Sequence, residues 1–199
     1  MHIKWKKDLL AIEINPELGY PSIEIDESKI ISSGNEIFWM FGLIDRQTKD
    51  ARIRCVLNNR TKERLLPLVK EYINTYVDDE EEQYSIRTRV FSDSFSSYQI
   101  NDFDNLDFIL KKVNHSVWFG AGLLHTNTIE SLWHTIKLIT LNFSGLSVEK
   151  LKNMFKNDES SIINYLDSWI YYALIIRDIR RKNLNWSQRM NYLSDYLII

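Results

Sequence analysis

Residues 125–137 form the segment that most constrains how this 199-residue chain can fold. Four apolar side chains recur there at spacings of three and four, and they are Ile129, Leu132, Trp133 and Ile136. This spacing predicts a helix with one buried apolar stripe. Glu130 and Lys137 are two helical turns apart, so they share a polar face beside that stripe. The segment therefore predicts a helix that packs on a core and presents one carboxylate at its edge.

Two aspartates upstream each follow a segment with the character of a strand. Residues 21–28 alternate apolar and polar side chains around Asp26, and residues 86–93 form a second such segment that stops at Asp93. Two strand-end aspartates and a helical Glu130 supply the hard oxygen ligands that two divalent cations require. The residues alone leave two alternatives open. The aspartates could form turns, and the glutamate could be an ordinary exposed helix residue.

The segments around these carboxylates predict an α/β domain. Residues 36–44 are almost all apolar, which predicts an inner strand, and residues 51–57 alternate, which predicts the strand paired with it. Residues 111–119 predict a fifth strand. Thr61 can cap a helix that extends to about Tyr76.

Two further patterns complete the expected architecture. The acidic run at residues 78–82 predicts a solvated loop. After Ser147, periodic apolar residues predict three helices, near residues 147–156, 160–180 and 186–197. The chain is therefore expected to fold as a sheet with helices, followed by a helical C-terminal tail.

Composition limits the classes of protein to which the chain can belong. With 44% apolar residues the chain can fill a sizeable core. The sequence contains no run of 18 apolar residues, so no membrane-spanning helix is expected. The N-terminal residues lack the apolar stretch and cleavage site of a secretory signal. Cys55 is the only cysteine, which fits a reducing compartment. We expect a protein that is not secreted, cytoplasmic in a bacterium or nuclear in a eukaryote.

Four blocks of the sequence, in this order, resemble the catalytic domain of a DDE transposase of the Merlin superfamily and its bacterial insertion-sequence relatives. They are IEIDESKI (23–30), WMFGLIDRQT (39–48), FSDSFSSY (91–98) and VNHSVWFGAGLLHTNTIESLWHTIK (113–137). The segment NRTKERLLPLVKEYI (59–73) is similar to a helix of that family. The resemblance covers roughly residues 21–140, and its last block is the longest and most specific.

The resemblance implies a ribonuclease-H-like fold, a mixed sheet flanked by helices, and two bound Mg²⁺ or Mn²⁺ ions. It assigns Asp26, Asp93 and Glu130 as the catalytic, metal-binding residues and Asn127 and Lys137 as accessory residues. The implied activity is metal-dependent cleavage and strand transfer of DNA at the ends of a mobile element. The implied partners are the element ends and the target DNA, with a possible homo-oligomer and no membrane.

His115 is a further accessory candidate, as a ligand or a base, with a structural histidine as the alternative. The formal net charge of −2 is not typical of a general nucleic-acid binder, so DNA contacts are expected from local cations. The candidates are Lys137, Arg177, Arg180, Arg181 and Lys182. The last four could instead form a solvated helix face.

The chain also differs from the family pattern. The family's loop after the first aspartate is expected to shorten to residues 29–36, and the single cysteine cannot build a cysteine-based zinc site. We expect a short extension over residues 1–20, the catalytic domain over 21–145 and a helical region over 146–199. One alternative is a degenerate or domesticated transposase-derived module that binds DNA or protein without catalysis. Another is a stand-alone nuclease of the same fold.

Overall fold

A computed structural model describes residues 22–58, 60–72, 88–93, 108–113, 125–140 and 146–196. The strands in these ranges are β1 (Ser22–Ser33), β2 (Glu36–Asp45), β3 (Ala51–Leu57), β4 (Thr88–Asp93) and β5 (Phe108–Val113). The helices are α1 (Lys62–Tyr72), α2 (Asn127–Thr140), α3 (Val148–Met154), α4 (Glu159–Arg181) and α5 (Trp186–Tyr196). Within the described ranges, no helix has the length and apolar character to cross a membrane.

The five strands form one mixed sheet in the order β3-β2-β1-β4-β5. The first three strands make an antiparallel meander, because β1 pairs with β2 and β2 pairs with β3 in opposite directions. The last two strands run parallel to β1, which requires crossover connections. This arrangement, with helices on both faces, is the predicted ribonuclease-H-like α/β fold.

The segment expected to form a loop after Asp26 is instead strand, which corrects the interpretation of residues 29–36. Strand β1 continues to Ser33, and a two-residue turn leads directly into β2. Gly34 occupies this turn at a φ of 56°, a conformation that glycine adopts without steric cost. The strand persists because Ile31 pairs with Phe38 across the hairpin, after a register shift between Lys29 and Ile31.

Two apolar cores lie on opposite faces of the sheet. On one face, side chains of β2 and β3 pack against the three helices α2, α3 and α4. On the other face, Ile25, Leu43 and Val90 pack against α1 through Leu65 and Val69. Helix α4 therefore shares its core with α2. The proposed boundary near residue 145 remains a prediction.

The remaining elements follow the sequence pattern with shifts at their ends. The three tail helices are confirmed, and Asp158 caps α4 by accepting a hydrogen bond from the Ser160 N–H at 3.1 Å. Strand β5 begins at Phe108, three residues earlier than expected, because the buried side chains Phe108 and Leu110 belong to the core. The acidic run 78–82 and the end of the expected fifth strand, 114–119, lie outside the described residues.

Candidate active site

Asp26 and Asp93 lie side by side on neighbouring parallel strands. In the β1–β4 register Glu24 is level with Phe91 and Ile25 with Ser92, so the next step brings Asp26 level with Asp93. Side chains that are level on adjacent strands share one face of a sheet, about 4.8 Å apart at the backbone. The alternation predicts Asp26 at the end of its strand, but β1 continues to Ser33, so Asp26 is an inner residue of β1, whereas Asp93 is the last residue of β4.

Glu130 approaches the same face of the sheet from above. It lies in the first turn of α2, whose apolar stripe is buried against β1 and β2. Its carboxylate oxygen Oε1 accepts a hydrogen bond from the Thr126 hydroxyl at 3.2 Å. Packing of the stripe thus brings a helical carboxylate towards the two strand carboxylates.

The three carboxylates interact electrostatically. The pKa of Asp26 is raised to about 6, chiefly because burial disfavours its charged form. The hydrogen bond from Trp133 lowers this pKa, whereas the negative charges of Asp93 and Glu130 raise it further. Asp26 therefore lies within the field of both other acids, and a cation placed among them would relieve their repulsion.

The donor chemistry of these residues fits Mg²⁺ or Mn²⁺, because both ions prefer carboxylate oxygen. In the described ranges, no three histidine, cysteine, aspartate or glutamate side chains are grouped closely enough to form a ready-made metal site. Asp93 and Glu130 are thus near enough to Asp26 for their charges to act on it, but the three side chains are not arranged as a complete set of metal ligands.

Trp133 connects helix α2 directly to Asp26. Its indole Nε1–H donates a hydrogen bond to Asp26 Oδ2 at 2.8 Å. The ring passes over Gly42, the residue of β2 that pairs with Asp26. The spacing of apolar residues predicts Trp133 in the buried stripe, and its 5% exposure agrees with that prediction. Its polar contact was not predicted.

Glu24 is a buried carboxylate that the sequence analysis missed. It lies two residues before Asp26 and therefore on the same strand face, and it is fully buried. Its Oε2 accepts a hydrogen bond from the Ile129 N–H at 2.8 Å, in the first turn of α2. A carboxylate at this position also interacts favourably with the positive end of the helix dipole. Glu24 therefore fixes the start of the helix that carries Glu130.

Arg46 is the second residue that the sequence analysis missed. Its Nε donates to Glu24 Oε1 at 2.8 Å, and its guanidinium lies over the Phe91 ring at 3.5 Å. The same side chain donates to the carbonyl oxygen of His125. One arginine thus contacts β1, β4 and the residues that lead into α2. The signal in the sequence was an acid on the Asp26 face of β1 and an arginine directly after an apolar strand.

The accessory candidates are spread around α2. Asn127 is exposed at the first residue of the helix, and Lys137 is exposed in its last turn. A groove of about 440 Å³ lies between α2 and α4, and Lys49, Asn127 and Arg181 are among its lining residues. His115 lies outside the described residues.

The four basic residues near the end of α4 differ in their surroundings. Arg177 donates to Asp178 Oδ1 at 3.0 Å and to the Lys49 carbonyl at 2.6 Å, and its side chain is only 11% exposed. Arg181 donates to the carbonyl oxygen of Thr48 at 2.7 Å. Arg180 and Lys182 are exposed, as Arg181 is, and the Lys182 ammonium lies over the Tyr192 ring at 4.8 Å. Contact of these residues with DNA remains a prediction.

Comparison with known protein families gives no match, and no curated protein matches the chain. Similar solved structures include two of the HTLV-2 integrase catalytic core domain in complex with magnesium, in trimeric and dimeric forms. Both have a TM-score of 0.45, at 10% and 9% identity, and each match covers 78% of this chain. The matches cover 82% and 83% of those chains.

A third similar structure is the simian T-cell lymphotropic virus intasome in complex with PP2A regulatory subunit B56 gamma. It has a TM-score of 0.41 at 9% identity, and the match covers 83% of this chain and 50% of that chain. Likeness at this level assigns neither a family nor an activity. The resemblance to the Merlin superfamily is not confirmed and remains a prediction.

Proposed function

We propose that this chain is the catalytic domain of a metal-dependent polynucleotidyl transferase that cuts and rejoins DNA strands, as transposases do. The observation that supports the proposal is that the charges of Asp93 and Glu130 both act on the Asp26 carboxyl. Continuation of the β1–β4 register puts Asp26 beside Asp93, and Glu130 lies in the first turn of α2, which packs on β1 and β2.

Asp26, Asp93 and Glu130 would hold two divalent cations, Mg²⁺ or Mn²⁺. When bound, such a pair activates a nucleophilic oxygen and stabilises the leaving oxygen of a phosphodiester. Because the acids do not form a ready-made ligand set, we expect their side chains to draw together when a cation binds. Asp26 has the central place in this arrangement, since it lies in the field of both other acids.

Other residues of α2 and α4 would hold the DNA. Lys137 is exposed two turns after Glu130, where a phosphate beside the carboxylates would be in reach. Arg180 and Lys182 are exposed near the end of α4 and would contact a more distant part of the backbone. Because the net charge is only −2, these few cations would give weak binding without sequence preference. Homo-oligomerisation is part of this proposal, as two element ends must be processed together.

The proposal is tested by strand cleavage of a labelled DNA duplex in the presence of Mn²⁺, with EDTA as the metal-free reference. Wild-type protein should nick the duplex, and Asp26→Asn should strongly reduce nicking because a carboxylate that would hold the cations is lost. Glu149→Gln is the matched control, since Glu149 is an exposed acid on α3. Cleavage that survives in Asp26→Asn would contradict the proposal.

The second candidate is a module of this fold that binds DNA or protein without catalysis. The observation that favours it is the absence, in the described part of the chain, of a grouped set of three metal ligands. Such a module would bind duplex DNA equally well with and without Mn²⁺, and it would leave the strands intact. The cleavage assay, run beside a binding assay, separates the two candidates.

A further inference from the structure

We infer that Trp133 is the positioning residue for Asp26, and that Gly42 is required to admit its indole ring. This inference rests on the proposed function, because it assigns to Trp133 the orientation of the carboxylate that would bridge the cations. The geometry involves three elements, since Trp133 lies on α2, Asp26 on β1 and Gly42 on β2.

A hydrogen bond joins the Trp133 indole to the Asp26 carboxylate. Trp133 Nε1 is 2.8 Å from Asp26 Oδ2, so the indole N–H holds one oxygen of the carboxylate. The ring cannot easily move away, because Trp133 is 5% exposed within a stripe anchored by Ile129 and Ile136. A carboxylate held by a donor on a packed helix has one defined orientation towards its neighbours.

The Trp133 ring lies so close to Gly42 that only a residue without a side chain fits there. A Cβ atom at this residue would lie 2.4 Å from Cη2 of Trp133 and 3.2 Å from its Cζ2. The backbone of Gly42 is not in the left-handed region, so its conformation does not explain why a glycine is present in this strand. Glycine within a strand weakens it, and a close approach by another group is a physical reason for its presence. Here the approaching group is the ring that holds Asp26.

The contact of Trp133 with Asp26 should also affect the strength of cation binding. Groups that orient a metal ligand through a hydrogen bond typically contribute 10–100-fold to metal affinity. Asp26 is only partly exposed, and the charges of two acids act on its carboxyl, so a fixed hydrogen-bond donor contributes to its orientation. Loss of the indole N–H should therefore weaken Mn²⁺ binding by about 10–100-fold while the fold persists.

The test combines calorimetry with the indole N–H resonances of protein carrying ¹⁵N-labelled tryptophan. Trp133→Phe identifies the resonance of Trp133 by its disappearance, and it should weaken Mn²⁺ binding by about 10–100-fold. Trp169→Phe is the matched control, since Trp169 is on α4 and 36% exposed, and it should bind Mn²⁺ like the wild type. Equal Mn²⁺ affinity in Trp133→Phe and the wild type would overturn the inference.

Two further variants keep the inference testable if Trp133→Phe does not fold, because the indole resonance that moves in both of them is then assigned to Trp133. Asp26→Asn should move the Trp133 resonance upfield, because a neutral acceptor deshields the indole proton less than a carboxylate. Gly42→Ala should move the same resonance by displacing the ring. If no indole resonance moves in Asp26→Asn, the contact with Asp26 does not exist in solution and the inference fails.

The same data separate this inference from the proposed function. Wild-type protein that binds no Mn²⁺ refutes the proposed function, and the Asp26→Asn resonance then still decides whether Trp133 holds Asp26. Wild-type protein that binds Mn²⁺, with an unchanged affinity in Trp133→Phe, supports the function and refutes the role of Trp133.

Discussion

Arg46 donates from Nε to Glu24 Oε1 at 2.8 Å, and this ion pair is almost completely withdrawn from solvent, at 11% and 0% side-chain exposure. The pair lies below the start of α2 and beside Phe91 of β4. It therefore joins the three elements that carry the candidate catalytic acids. We conclude that this pair helps to fix the relative positions of those acids.

Removal of Arg46 should destabilise the protein strongly. Arg46→Met leaves the buried Glu24 carboxylate with the Ile129 N–H and the His125 imidazole as neighbours but without its arginine, and breaking such an ion pair costs about 3–5 kcal/mol. Urea denaturation followed by circular dichroism measures the change in the free energy of unfolding. The control is Lys152→Met, since Lys152 pairs with Glu36 at about one-third side-chain exposure, where about 0–1 kcal/mol is expected. An equal decrease in the free energy of unfolding in the two variants would show that the buried Arg46–Glu24 pair contributes no more to stability than the partly exposed Lys152–Glu36 pair.

The basic residues of α4 should divide into two groups. Arg180→Ala combined with Lys182→Ala should lower the salt dependence of duplex binding, by about 0.9 in the logarithmic slope for each lost phosphate contact. Arg177→Ala should instead lower stability, because Arg177 is engaged with Asp178 and the Lys49 carbonyl. Fluorescence anisotropy at several salt concentrations measures the slope. An unchanged slope in the double variant would show that Arg180 and Lys182 do not contact the DNA backbone.

Asp167 should make stability depend on pH. Its Oδ1 accepts the Cys55 N–H at 2.6 Å, while Oδ2 lies 3.4 Å from Arg54 Nε without a hydrogen-bonding geometry. Burial raises its pKa to about 6, even though the Arg54 charge and the Cys55 N–H lower it. The folded protein therefore binds this proton more tightly than the unfolded chain does. The resulting stability is present below about pH 4 and is lost as pH rises through 6.

Asp167→Asn isolates this effect, because asparagine can still accept the Cys55 N–H but does not titrate. Between pH 4 and pH 7.5 the free energy of unfolding of the wild type should fall, relative to that of the variant, by at most about 3 kcal/mol. Urea denaturation at both values gives the difference directly. A wild-type-to-variant difference that is the same at both values would show that Asp167 is not protonated in this range.

Much of the sheet could be predicted from local patterns, because the strand segments carry either alternating or continuously apolar side chains. These patterns place Asp26 and Asp93 on strands and Glu130 on a helix, but the register that relates β1 to β4 is visible only in the folded sheet. The length of β1 could not be predicted in the same way. A register shift after Lys29 interrupts the alternation, and the pairing of Ile31 with Phe38 is visible only in the folded hairpin.

The supporting contacts of the site could not be predicted, for a different physical reason. Glu24 and Ile129 are 105 residues apart, and no local pattern states that a strand carboxylate will accept the N–H of a distant helix. Trp133 was correctly placed in the buried stripe, but its polar contact depends on the empty space at Gly42. Such contacts depend on how two elements pack, which single-element periodicity does not encode.

Asp26, Asp93 and Glu130 should form one site for divalent cations, and Mn²⁺ titration by isothermal calorimetry is the decisive measurement. Wild-type protein should bind Mn²⁺, and Asp26→Ala should abolish the binding because this carboxylate would bridge both ions. Asp93→Ala and Glu130→Ala should each weaken it, and the surface variant Glu149→Ala should leave it unchanged. Equal Mn²⁺ affinity in the wild type and Asp26→Ala would contradict the account.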